Sequence, residues 1–162
     1  MAGVGLTFGL WWVYFVMPSA EVLHRNRSKC FGWGYGHYFV FVAIAAVGAG
    51  LHVSGVYLED HAKISATAAV LAVMVPVAVY LVAILALSSY LVDSIDAFHL
   101  TLLGGTAVFL ALPVLLAAAG VPMAVCLALL MLAPAVTIVG YELLGHRRQG
   151  RPRAGRPVRR TS

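Results

Sequence analysis

Residues 66–90 read ATAAVLAVMVPVAVYLVAILALSSY, a run without one acidic or basic side chain. Its apolar residues come as a block, not in the 3.6-residue rhythm of a helix with one wet face or the 2-residue rhythm of a half-buried strand. About 20 such residues wound as a helix cross the hydrocarbon core of a bilayer. Outward from this run, the segments 3–17, 37–58, 98–119 and 121–144 are likewise almost free of charge. The whole chain is 62% hydrophobic and 10% charged, with a mean hydropathy of +0.93. Those values exclude an ordinary soluble domain and predict an all-α membrane protein, a bundle of about five transmembrane helices in a domain covering residues 1–145. Gly120-Val121-Pro122 separates the last two helices as a tight hairpin, the glycine ending one and the proline opening the next.

Orientation follows the basic residues, since short loops rich in Arg and Lys stay in the cytoplasm. Arg25, Arg27 and Lys29 follow the first helix, and seven arginines lie between Arg147 and Arg160. Both regions are expected inside, and Glu59, Asp60 and Lys63 outside. Five crossings then put the N terminus outside and the C terminus inside, a multi-pass arrangement in the cell membrane. The tail 146–162 has almost nothing to bury and is expected to be disordered, lying on anionic lipid headgroups of the inner leaflet rather than on nucleic acid. The first helix is short, with about 15 residues before Pro18. It lacks a basic leader, and Trp11, Trp12, Tyr14 and Phe15 fit an interfacial aromatic belt better than a signal peptide.

The stretches GLWWVYF at 9–15 and WGYGHYFVFVAIAAVGAGL at 33–51 resemble those of the bacterial low temperature requirement A (LtrA) proteins, and the later helices are similar in order and spacing. The resemblance covers most of residues 5–145. It implies an integral membrane protein of many helices, linked by name to growth in the cold, with no catalytic residues to carry over. Family members are typically more than twice this length, so the chain resembles their C-terminal half. That raises a partner subunit, partner helices or a homo-oligomer, and a truncated homologue without independent activity, as expectations.

Candidate functional residues are few. Gly34-Tyr35-Gly36 matches the end of a potassium-channel filter, but Phe31-Gly32-Trp33 stands where threonine and valine would precede it. His37 and His52 share the second helix and lie within about 60° of one another, yet about 22 Å apart along its axis, so they cannot hold one ion. His37 shares a face with Phe41, Ile44, Gly48 and Gly55 and is expected to point into the bundle, as a functional group or as an interfacial anchor. His24, His61 and His146 are expected at helix ends or in loops. Asp93, Asp96 and His99 are ligand-type residues, but a helix N-cap at Asp93, Ser94 or Asp96 is the plainer account. Ala46 and Gly50, at small-xxx-small spacing, predict a close helix contact.

Pro76, Pro113 and Pro134 release the carbonyls of Ala72, Phe109 and Leu130 and predict three kinked helices, either ordinary membrane prolines or the wall of a polar path. No cofactor or metal is expected, and Cys30 and Cys126 are too far apart in this topology to pair. Two functions remain: a non-enzymatic transport-type or envelope-maintenance component, and a membrane-embedded enzyme using His37 or the Asp93, Asp96 and His99 turn.

Overall fold

The computed structural model describes residues 2–16, 23–24, 27–61, 63–92 and 97–149. Among them the chain forms five long helices and no strand: α1 (Ala2–Val16), α2 (Cys30–Leu58), α3 (Ala66–Val92), α4 (Ala97–Ala118) and α5 (Met123–Gln149). A 3-10 turn, Arg27–Lys29, leads into α2. Two stretches, Arg27–Leu58 and Ala66–Leu91, are long and apolar enough to cross a membrane, while Gly3–Phe15, Gly104–Ala118 and Met123–Ala135 are shorter apolar stretches. Only 28% and 39% of the most apolar windows of the two long stretches is buried in the bundle. A core helix of a soluble protein hides most of its surface; these turn most of an apolar surface outward, as lipid allows.

Two boundaries differ from those expected. α2 begins at Cys30 rather than at residue 37, so Phe31–Gly36 is helical. The glycines there are packing residues: Gly32 lies under the Tyr90 hydroxyl and Gly36 under Leu87, which lets α3 lie close along this turn. α5 continues to Gln149, so the residues from His146 to Gln149 extend the helix instead of opening a disordered tail. The expected caps Asp93, Ser94 and Asp96, the residues around Pro18 and the rest of the tail, 150–162, lie outside the described residues.

The helix ends are closed by their own sequence. At the end of α4, Val121 N–H bonds the Leu116 carbonyl (3.0 Å) and Gly120 N–H that of Ala117 (3.2 Å), with Gly120 at φ +84. This paired 6→1 and 5→2 arrangement needs a left-handed residue, and glycine adopts it without a Cβ clash. α2 ends the same way, with His61 N–H on the Val56 carbonyl and Asp60 N–H on that of Tyr57, both at 3.1 Å, but the left-handed residue is Asp60, φ 60. α3 opens on Ser65, whose hydroxyl accepts from Ala68 N–H at 3.1 Å, an N-cap. Lys29 closes the far end of α3: its Nζ donates to the Tyr90 carbonyl at 2.8 Å and sits 5.4 Å from the Tyr90 ring centre. A cation there satisfies terminal carbonyls and complements the helix dipole.

α2 packs along α3, α4 along α5 and α1 along α5, and α3 also meets α4 and α5. α3 is thus the central helix: Val70, Val73, Val77, Tyr80 and Leu81 are almost fully buried. The α2–α3 seam is built from Gly36, Ala43 and Gly50, seven residues apart, alternating with Val40, Val47 and Ser54. That repeat keeps one stripe on the partner, and its small members let backbones approach. Ser54 Oγ donates to the Ala69 carbonyl at 3.2 Å. Gly50 lies directly against the Ala72 carbonyl oxygen, the group that Pro76, having no N–H, leaves without its helical donor. The bare Cα of Gly50 therefore covers the carbonyl that Pro76 exposes.

Successive helices alternate in direction. Gly3 lies beside Leu51 and Tyr14 beside His37, so α1 and α2 are antiparallel. Gly5 lies against Met131 and Gly9 against Pro134, so α1 and α5 run parallel.

Candidate functional site

α1 and α2 do not pack along their lengths, and a cleft of about 460 Å³ is left between them. Leu10, Trp11 and Tyr14 of α1 form one wall, Phe41, Ile44 and Gly48 of α2 the other, and Tyr80 of α3 lies at the floor. The cleft exists because α1 lies along α5 and meets α2 only near its two ends. Leu51 meets Gly3 at one end. The Tyr80 hydroxyl donates to the Leu10 carbonyl at 2.7 Å, tying the middle of α1 to the central helix. At the other end Tyr14 and His37 join through a hydrogen bond of 3.0 Å.

His37 is 7% exposed, and both of its ring nitrogens are engaged. Nδ1 is 2.8 Å from the Trp33 carbonyl, one helical turn back. A carbonyl only accepts, so Nδ1 carries the hydrogen, and in the neutral ring Nε2 accepts from the Tyr14 hydroxyl. Aromatic rings enclose the imidazole: Trp33 at 4.0 Å between centroids, Tyr14 edge-on at 5.7 Å and Phe41 at 6.0 Å. The geometry makes His37 a latch between α1 and α2.

The remaining candidates are not brought to this site. His52 is exposed on α2 and is not among the residues that line the cleft. Pro113 and Pro134 are almost fully buried and Pro76 half-buried; none of the three lines the cleft. His24 and His61 are exposed, and the side chains of His99 and His146, like Asp93 and Asp96, lie outside the described residues. Among the described residues no three His, Cys, Asp or Glu side chains come together as a metal site. Cys126 is buried and Cys30 half-buried, both as free thiols.

Two residues of the site are not legible as such in the sequence. Tyr14 looks like one more ring of an interfacial belt, and Tyr80 is one polar residue within an apolar run. Each has its partner on another helix, 23 and 70 positions away, and no local pattern connects such positions. A second groove, of about 600 Å³, runs over Gly32 and Gly36 between α2 and α3 and is closed partly by Leu87 and Tyr90.

Residues 1–134 match the family described as Bacterial low temperature requirement A protein (LtrA). No curated protein and no solved structure matches the chain. The match takes in all of α1 to α4, the latch, the cleft and the first half of α5, so it covers the elements that build the site. With two helices long enough to cross a bilayer, this is a membrane protein, and the chain belongs to the LtrA family.

Proposed function

We propose that the chain crosses a bacterial cell membrane five times, N terminus outside and C terminus inside, and serves as a non-enzymatic transport-type or envelope-maintenance component whose working site is the α1–α2 cleft. The alternation of helix directions supports the five crossings, because an odd series must leave α1 and α5 parallel. Basic Arg27 and Lys29 sit at one end of α2, acidic Glu59 and Asp60 at the other, which matches the positive end to the cytoplasm. α2, with 29 residues, is about 44 Å long, the thickness of a bilayer with its headgroups. The arginine-rich tail then lies on anionic headgroups of the inner leaflet.

The observation that carries the functional reading is the cleft itself: α1 and α2 meet near its two ends and separate between them. Its latch engages both nitrogens of His37, which supports a role for that side chain in positioning α1 against α2. Reporter fusions after Asp60 and after Ser162 test the crossings, with activity expected outside for the first and inside for the second. The family name ties its members to low temperature, so a strain lacking this gene is expected to grow more slowly in the cold than its parent. Restoration by the unaltered gene but not by Gly48→Phe, which fills the cleft, is the expected result. Equal restoration by both would remove the cleft from the function.

A further inference from the structure

We infer that the α1–α2 cleft is a binding site for the terminal segment of one lipid acyl chain, held near the middle of the bilayer. This rests on the five-span reading, which puts the open side of the cleft against lipid. Three observations identify the occupant.

The first is polarity. Thr7, Tyr14 and Tyr80 are the hydroxyls on the lining, and each is already engaged: Thr7 with the Gly3 carbonyl, Tyr14 with His37, Tyr80 with the Leu10 carbonyl. Apart from the indole N–H of Trp11, what the walls still offer is hydrocarbon and aromatic surface, which suits an alkyl chain and gives a polar solute little in exchange for its water. The second is size. From Val40 to Leu51 the cleft runs about 16 Å along α2, so 460 Å³ corresponds to a mean cross-section of about 30 Å². A helix with its side chains, about 10 Å across, needs about 80 Å², so neither a partner helix nor a second copy of α1 enters. One extended chain does.

The third is depth. α2 runs from Cys30 to Leu58, so its midpoint is residue 44, and the α2 wall is centred there. With α2 spanning the bilayer, the cleft lies where chain ends are found, and its two ends are closed by Leu51 on Gly3 and by the Tyr14–His37 latch. Entry is sideways from the bilayer, between Trp11 and Phe41, which are 51% and 65% exposed. Gly48 keeps the opening: a Cβ there would meet nothing within 4 Å, so the space beside it is free.

The test uses the full-length protein in phosphatidylcholine vesicles with a trace of phosphatidylcholine carrying a photoactivatable diazirine, either at the end of the acyl chain or next to the glycerol. Labelled peptides are mapped by mass spectrometry. The distal probe is expected to concentrate on the peptides containing Leu10 and Phe41–Gly48, and the proximal probe to miss them. Gly48→Phe is expected to reduce that labelling by about tenfold, since placing a ring where the chain lies costs on the order of an overpacked core site. Gly105→Phe, exposed on α4 with nothing within 4 Å, is expected to leave it unchanged. Distal labelling spread evenly over all outward faces, or unchanged by Gly48→Phe, would overturn the site while leaving the five-span reading intact. Absence of labelling on α2 and α3 altogether would instead overturn the spanning reading itself.

Discussion

Replacing Gly50 by alanine tests how closely the two long helices are joined. A Cβ at Gly50 would fall inside the van der Waals shell of the Ala72 carbonyl oxygen and also press on the Val73 nitrogen, backbone atoms that cannot rotate away. α2 would have to retreat by about 1 Å or more, and a gap of that order already forfeits a quarter to a half of each contact well along the seam. Ser54, one turn further on, holds the Ala69 carbonyl at 3.2 Å, and the same retreat carries that bond beyond hydrogen-bonding distance. A hydrogen bond between membrane helices is worth about 0.6 kcal/mol, and overpacking a close site costs about 1–3 kcal/mol. Set against the gain in helix propensity that Gly→Ala brings, about 1 kcal/mol, Gly50→Ala should still destabilise the bundle by about 1–2 kcal/mol.

The control is two residues away on the same helix. Gly48→Ala adds the same methyl group where nothing lies within 4 Å, and the gain in helix propensity makes it neutral or stabilising by up to about 1 kcal/mol. Both variants can be measured by steric trapping or by titration with a denaturing detergent in mixed micelles. A difference of less than about 0.5 kcal/mol between them would refute the reasoning, because that is the scatter of independent sites.

Three further changes follow from single contacts. Tyr14→Phe and His37→Phe each strand one partner of the latch and should cost about 1–2 kcal/mol, whereas the double variant should cost less than their sum by about 0.6–1.7 kcal/mol; additivity in the same unfolding assay would show that the latch carries no energy. Asp60→Gly relieves a left-handed aspartate at the end of α2 and should stabilise by about 1 kcal/mol, read as a higher unfolding midpoint. Ser65→Ala removes the cap of α3 and should cost about 1 kcal/mol, with faster hydrogen exchange confined to the amides near Ala68, while Ser65→Asp should restore protection.

The helices were legible because apolar length is a local property: residues 66–90 needed no neighbour to be read, and the structure extends that run only from Ala66 to Val92. The Gly120 and Pro122 hairpin was legible for the same reason, since a left-handed glycine and a helix-opening proline act within a few residues of themselves. The start of α2 was not. FGWGYG carries three glycines, which in water would mark a turn, but here Gly32 and Gly36 make room for Tyr90 and Leu87 of another helix. What sets the state of these glycines is the partner, not the run that contains them.

The same limit separates Gly48 from Gly50. They lie in one run of small residues, AAVGAG at 45–50, and by composition either could have made the close contact. The expected spacing chose Gly50 rightly but paired it with Ala46, which is only half-buried; the seam uses Ala43 and Gly36 instead. The reason lies on α3. Pro76 strips the Ala72 carbonyl of its donor, and an exposed carbonyl is best covered by a backbone that can come within a Cα of it. Once Gly50 is committed to that carbonyl, the turn of the helix points Gly48 away from α3, into the cleft beside α1. It also aims His37, thirteen residues before Gly50, at Tyr14. A proline on the third helix thus helps decide which glycine of the second packs and which stays open, and with it where a lipid chain can enter.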